Sequence, residues 1–131
     1  MADIYRQIYN GKHYYIGIAL SNLAGVCIDQ KQYARGESLF REALQMYATT
    51  LPSDHQLIGI ARARLGRALL QQHRYAEAET ESRAGYEILS RQTTPPAQWI
   101  DRARTDLAQE YDGLRRPEKA AEFRALLAAP K

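Results

Sequence analysis

Apolar side chains recur every three to four residues along most of this chain, which is the spacing of one face of an α-helix. In the first stretch the apolar positions are Ile16, Ala19, Leu20, Leu23 and Cys27. The same spacing returns over residues 33–47, 58–69, 75–89, 100–111 and 120–127. No stretch alternates apolar and polar residues as a half-buried strand does. The pattern therefore predicts an all-α protein.

The apolar stretches also repeat along the chain at a fixed interval of 42 residues. The aligned positions include Ala19, Ala61 and Ala103; Leu23, Leu65 and Leu107; Tyr33 and Tyr75; and His13 and His55. A fixed period of this length is the sequence sign of a repeat architecture. Each unit holds two helical stretches separated by a short turn, around residues 30–32 and 72–74, and short connections make neighbouring helices antiparallel. The sequence therefore predicts three helix-turn-helix units.

These units are predicted to form a single domain over residues 1–131, with repeats at about 13–51, 55–93 and 97–129. Ile4 and Tyr5 align with Met46 and Tyr47 at the same interval. Residues 2–9 are therefore expected to be the tail of a preceding second helix, and the chain a fragment of a longer protein.

Polar residues and prolines mark the expected junctions between helices. Ser53 or Asp54 is predicted to cap the N-terminus of the helix that follows, because a short polar side chain accepts hydrogen bonds from the free amides there. His13 and His55 lie at equivalent helix starts, so we expect them to fix the turn between units rather than to bind a metal. Pro95 is expected in a first helical turn, where proline is tolerated.

Small residues occupy equivalent positions on both helices of each unit, which predicts a close approach of the two backbones. The aligned positions are Ala24, Gly66 and Ala108 on the first helices and Gly36, Ala78 and Ala120 on the second.

The motifs Leu23-Ala24-x-x-Cys27 and Gly36-x-x-x-Phe40 resemble the tetratricopeptide repeat, whose usual period is about 34 residues. The longer spacing of 42 and the pair Asp54-His55 are similar to the kinesin-light-chain type. The resemblance implies a right-handed α-solenoid of three units with a partial preceding helix. The chain also resembles the C-terminal arrays of bacterial serine/threonine kinases, which implies a role in signalling.

Four positions depart from the family pattern. Lys31 and His73 stand where the family usually has glycine, just before the second helix of a unit. In the third unit Pro117 stands where tyrosine is expected, and Arg124 stands where an aromatic residue is expected. A terminal repeat is often atypical because one of its sides faces water.

Charge and composition narrow the classes of function. The 18 Lys and Arg residues are spread among 15 Asp and Glu residues, for a net charge of +3, which argues against nucleic-acid binding. There is no apolar run of the roughly 18–20 residues that a membrane span needs. There is also no signal-peptide pattern, and the single cysteine, Cys27, excludes an intrachain disulfide. We expect a cytoplasmic protein.

Proteins that the chain resembles bind partners in a concave groove lined by the first helices. The groove positions carried over to this sequence are polar, apart from Gly25. They are Asn22, Asp29, Arg64, Arg67, Gln71, Arg102, Asp106 and Gln109. The three arginines are suited to an acidic side chain or a terminal carboxylate of a peptide. The alternative is that these residues form solvated ion pairs of little energetic value.

No constellation of residues supplies an acid, a base and a nucleophile together, and Cys27 lies on the apolar stripe. The sequence therefore predicts a module without catalytic activity, metal or cofactor, which binds a protein or peptide segment. The alternative is a structural spacer or a dimerisation element, with a homodimer formed through exposed repeat faces.

Overall fold

The computed structural model describes residues 13–130, and nearly all of them lie in six helices. These are α1 (His13–Asp29), α2 (Tyr33–Thr50), α3 (Gln56–Gln71), α4 (Tyr75–Ser90), α5 (Ala97–Gly113) and α6 (Pro117–Ala128). The described residues contain no strand, so the prediction of an all-α fold is confirmed. The predicted tail at residues 2–9 lies outside the described residues.

The turn inside each unit is closed by a residue in the left-handed backbone conformation. Lys31, His73 and Arg115 have φ values of 62°, 60° and 60°, and they lie 42 residues apart. In the first turn the amide of Lys31 donates to the carbonyl of Ile28, and the amide of Gln32 donates to that of Cys27. This is the Schellman pattern, which usually has glycine at the left-handed position. The two departures from the family pattern at Lys31 and His73 therefore leave strain in the turns.

Replacing Lys31 by glycine is expected to stabilise the protein. A residue with a Cβ costs about 1–2 kcal/mol in the left-handed region, and glycine avoids this cost. Glycine also gives the unfolded chain more conformational freedom, which offsets part of the gain in stability. We expect Lys31→Gly to raise the free energy of unfolding by about 1 kcal/mol in urea titrations followed by circular dichroism. Lys31→Ala, which removes the same charge but keeps the Cβ, is the matched control and should give no gain. An equal gain in both variants would contradict the explanation from backbone strain.

The structure corrects two of the predicted helix starts. The N-cap of α3 is His55, whose Nδ1 accepts a hydrogen bond from the amide of Leu57 at 3.1 Å. Ser53 and Asp54 lie before this position, in the link from α2, so the prediction that one of them caps the helix is wrong. Pro95 also lies outside a helical turn, because α5 begins at Ala97 with Pro96 as its N-cap.

The helices stack so that each core cluster joins neighbouring elements. Besides the pairs within each unit, α2 packs on α3 and α4 packs on α5. The first helices α1, α3 and α5 also contact one another in sequence, so they form one layer of the stack. A core cluster of Ala24, Phe40, Leu65, Leu69 and Ala78 takes residues from four consecutive helices. Unit two is therefore held by contacts on both of its sides, as in a solenoid.

The close approach of the two helices within a unit is confirmed in the first two units. A Cβ built on Gly36 would lie 3.3 Å from the carbonyl oxygen of Ala24. A Cβ on Gly66 would lie 3.1 Å from the carbonyl oxygen of Ala78. Neither site has room for a larger side chain at the present distance between backbones.

The predicted apolar stripe of α1 is only partly buried. Ala19 is exposed and Leu23 is 45% exposed. The equivalent residues of the other units are all buried: Ala61 and Ala103 for Ala19, and Leu65 and Leu107 for Leu23. The physical reason is that α2 covers this face of α3, and α4 covers this face of α5. Among the described residues no helix precedes α1 to cover its own face. None of the described helices is long and apolar enough to cross a membrane.

Candidate functional site

The layer of first helices encloses a cavity of about 390 Å³ that is open to solvent. All three first helices contribute side chains, and the beginning of α2 closes one side. Its lining consists of Gly25, Ile28, Asp29, Tyr33, Ala63, Arg64, Arg67, Gln71, Trp99, Arg102, Ala103 and Asp106. We call this space the groove cavity.

Six of the eight sequence-predicted groove residues line the groove cavity: Asp29, Arg64, Arg67, Gln71, Arg102 and Asp106. Asn22, which lies on α1, is exposed but does not line this space. Gln109 lines a second cavity of about 410 Å³, together with His73, Tyr75 and Asp112. The structure thus brings together the arginines of two different units but separates Asn22 and Gln109 from them.

Arg64 is held at the centre of the groove cavity by two aromatic rings. Its guanidinium carbon lies 5.1 Å from the ring centroid of Phe40 and 5.3 Å from that of Trp99. Contacts of this kind attract a cation to the face of a ring. Gly25 provides the space, because a Cβ at this position would overlap with Nη2 of Arg64. The side chain is therefore fixed in place before any ligand binds.

A second guanidinium shares the ring of Trp99. The guanidinium carbon of Arg102 lies 5.2 Å from the ring centroid. Burial and the positive charge of Arg102 lower the pKa of Arg64, and Asp29 acts in the opposite direction. Arginine still remains charged at neutral pH.

The three arginines of the groove cavity differ from most others in having no ion pair. Seven other arginines lie within 4.0 Å of a carboxylate oxygen: Arg41, Arg62, Arg74, Arg83, Arg91, Arg104 and Arg124. In the part of the chain that the structure describes, Arg64, Arg67 and Arg102 form no such pair. The alternative reading of these positions as solvated ion pairs therefore does not describe the arginines, and their donors are available to an anion.

Asp106 is the one buried carboxyl group of the groove cavity. The sequence predicts a polar groove residue at this position, and its side chain does line the cavity, but it is buried. Burial raises the pKa of Asp106 to about 6, although the charges of Arg67 and Arg102 lower it. The group therefore changes its charge just below neutral pH.

A second buried acid, Glu110, lies one helical turn beyond Asp106 on α5. Its Oε2 accepts a hydrogen bond from Oγ of Ser82 at 2.8 Å, and its Oε1 has no hydrogen-bond partner among the described residues. Burial raises the pKa of Glu110 to about 9, together with the negative charges of Asp106 and Glu79 and against the hydrogen bond from Ser82, which lowers it. Glu110 is thus a neutral acid at pH 7.

Glu110 is not among the site residues predicted from the sequence, although aligning the repeats at the interval of 42 residues could have identified it. Glu110 aligns with Ala68, which is buried, and with Val26. A glutamate at a position that is apolar in the other units marks a polar group inside the core. Trp99, which lines the groove cavity, is partly buried.

Neither the cysteine nor the possible metal-ligating residues form a second functional site among the described residues. Cys27 is buried in the core, as predicted from its place on the apolar stripe. Within residues 13–130, no group of three His, Cys, Asp or Glu residues has the arrangement of a metal site.

Comparison with known families agrees with the geometry. A family model described as "Tetratricopeptide repeat" matches residues 15–91, which is more than half of the chain. No curated protein matches the sequence.

Proposed function

This chain belongs to the tetratricopeptide repeat family, and we propose on that premise that it binds an acidic segment of a partner protein in the groove cavity. Tetratricopeptide repeats are generally protein–protein interaction modules without catalytic activity. The observation that carries the proposal is the convergence of three arginines without an ion pair, Arg64, Arg67 and Arg102, on one cavity. Two of them, Arg64 and Arg102, share the ring of Trp99.

Two properties of the groove cavity support a peptide segment as the ligand. Guanidinium groups bind carboxylates through paired, charge-assisted hydrogen bonds, which are stronger than neutral ones. The ring of Trp99 adds an apolar surface beside them, and aromatic anchors together with arginine carry much of the energy in protein interfaces. An acidic side chain next to an apolar one would engage both.

The experiment uses Trp99 as its own probe, because it is the only tryptophan of the chain. Peptides are selected from a random library on the immobilised protein, and their binding is measured by fluorescence anisotropy and by the emission of Trp99. We expect the selected peptides to be rich in Asp and Glu and to change the Trp99 emission with the same binding constant. Peptides that bind by anisotropy without affecting Trp99 would place the binding surface elsewhere and refute the proposal.

The affinity for an acidic peptide is expected to rise as the pH falls through the pKa of Asp106. When Asp106 takes up a proton, the cavity loses its buried negative charge, while the peptide's own carboxylates, with pKa values near 4, stay ionised. Glu110 stays neutral over the same range. From about pH 7.5 to about pH 5.5 we expect the affinity of a selected peptide to rise about tenfold.

The matched variant for this test is Asp106→Asn, which removes the charge at every pH. This variant should bind the peptide tightly at both pH values, so that its affinity no longer depends on pH. The same pH dependence in the variant and the wild type would show that Asp106 is not the group responsible.

The finer expectations about context are proposals as well. The kinesin-light-chain-like spacing and the attachment to a signalling kinase rest on the resemblance of the 42-residue motifs, and so does a cytoplasmic location. The sequence of the parent protein, read for an upstream kinase domain, tests the attachment to a signalling kinase.

A further inference from the structure

The three arginines of the groove cavity reach it from two different helices. Arg64 and Arg67 lie one helical turn apart on α3, and Arg102 lies on α5. A carboxylate has two oxygens in one plane, and a single guanidinium group engages both of them. Three guanidinium groups that line one cavity of about 390 Å³ are therefore suited to an anion with more oxygens, arranged in three dimensions.

The lining of the groove cavity also has an excess of positive charge. Its charged side chains are the three arginines and the carboxylates of Asp29 and Asp106. Burial raises the pKa of Asp106 to about 6, against the charges of Arg67 and Arg102, so this group takes up a proton readily when an anion binds beside it. Three positive charges and the negative charge of Asp29 then leave a net charge of +2 in the lining.

A phosphate monoester has the properties that this lining favours. It carries a charge of about −1.5 to −2 at pH 7 and presents three strong acceptor oxygens. Arginine clusters are a recurring means of binding phosphorylated protein segments. A carboxylate carries a single negative charge, and so does each phosphate along a nucleic acid. The net charge of the cavity and the number of its guanidinium groups therefore match a phosphate monoester better than either of these groups.

We propose that the groove cavity binds a phosphorylated serine or threonine of the partner segment, and that Arg64, Arg67 and Arg102 hold its phosphate together. This inference rests on the proposed function, since it names the acidic group that the same cavity takes. Aspartate and glutamate bind in the same place with lower affinity, because they supply fewer oxygens and less charge.

The test compares three versions of one acidic peptide selected on the protein. The acidic position whose replacement by alanine costs most affinity is made glutamate, serine or phosphoserine, and binding is measured at pH 7.5 by anisotropy and by the emission of Trp99. We expect the phosphoserine peptide to bind at least about tenfold more tightly than the glutamate peptide, and the serine peptide to bind most weakly. Phosphoserine binding no more tightly than glutamate would overturn this inference and leave the proposed function intact. If none of the bound peptides changed the emission of Trp99, the proposed function itself would fail.

Single variants show whether all three arginines hold the phosphate. In Arg64→Gln, Arg67→Gln and Arg102→Gln we expect the preference for phosphoserine over glutamate to fall to about twofold or threefold, since each variant removes one set of charged donors. Arg35→Gln is the matched control, because it removes the same charge from an exposed site of α2 outside the cavity, and it should keep the full preference. Circular dichroism should show the same helix content in all four. An undiminished preference in Arg67→Gln would contradict the shared hold on the phosphate.

Two further ligands separate charge from shape, and a protein segment from a small phosphate ester. A peptide with serine sulfate at the same position keeps the tetrahedral shape but has one negative charge, so it should bind about as weakly as the glutamate peptide. Inorganic phosphate and free phosphoserine lack the rest of the segment and should displace the phosphopeptide only at far higher concentrations. Serine sulfate binding as tightly as phosphoserine would show that the second charge is not recognised. Free phosphoserine binding as tightly as the phosphopeptide would make the ligand a small molecule, and either result would overturn the inference.

Discussion

Raising the pH from about 7 to about 9 is expected to destabilise the protein by about 2 kcal/mol through Glu110 alone. The pKa of this carboxyl group is about 9 in the folded state and 4.5 when it is free of the fold. Between these values the folded chain holds a proton that the unfolded chain has lost, so the free energy of unfolding falls as the pH rises. Its slope is about 1.4 kcal/mol per pH unit. The contribution is complete below the unfolded pKa and disappears as the pH passes the folded one.

Glu110→Gln is expected to remove this loss. A glutamine is close in shape to the protonated glutamate, and its carbonyl oxygen can still accept the hydrogen bond from Ser82. At pH 7 the variant should therefore unfold at nearly the same urea concentration as the wild type, and at pH 9 at a higher one.

Other ionisable groups also respond to alkaline pH, and a matched control separates their effect. Glu118→Gln makes the same change at an exposed site of α6, so its stability should follow that of the wild type at each pH. If Glu110→Gln lost stability between pH 7 and pH 9 as steeply as Glu118→Gln, the buried carboxyl group would not be the cause.

The helices and turns could be predicted from the sequence because both depend on local patterns. The apolar spacing placed six helical stretches, and the interval of 42 residues placed the turns that Lys31 and His73 close. Burial depends on neighbours in space, which a local pattern does not contain. Leu23 has the same motif as Leu65, yet it is exposed, since the helix that covers Leu65 is α2 and no described helix covers Leu23.

The same distinction, between what local patterns determine and what neighbours in space determine, applies to the groove cavity. The family's groove positions gave six residues that do line it, because position along a first helix decides which side faces the cavity. The position of the Arg64 guanidinium could not be predicted. It depends on glycine, which has no Cβ, at position 25 of one helix and on the ring of Trp99 on another. The burial of Asp106 likewise depends on neighbours in space, which its position along the helix does not reveal.

Removing the guanidinium groups of Arg64 and Arg102 is expected to lower the affinity for an acidic peptide selected on the protein by about a hundredfold. The reason is that each charged hydrogen bond to a carboxylate is worth about 1.5–3 kcal/mol. The double variant Arg64→Ala/Arg102→Ala is compared with Arg35→Ala/Arg91→Ala, which removes the same net charge from exposed sites outside the cavity. The affinity of this control variant for the peptide should fall only a few-fold, because its long-range electrostatic attraction for the peptide is weaker. Equal losses in both would mean that net charge, and not the groove cavity, determines affinity.

A variant that keeps every charge separates the position of Arg64 from its presence. In Gly25→Ala the new methyl group displaces the flexible end of Arg64 from its place between Phe40 and Trp99. Alanine is favoured over glycine inside a helix by about 1 kcal/mol, so the fold should be no less stable. We expect about a tenfold loss of affinity for the acidic peptide, because the guanidinium must be ordered again on binding. Wild-type affinity in Gly25→Ala would mean that Arg64 binds the peptide from many positions, and that its seat between the two rings contributes nothing to recognition.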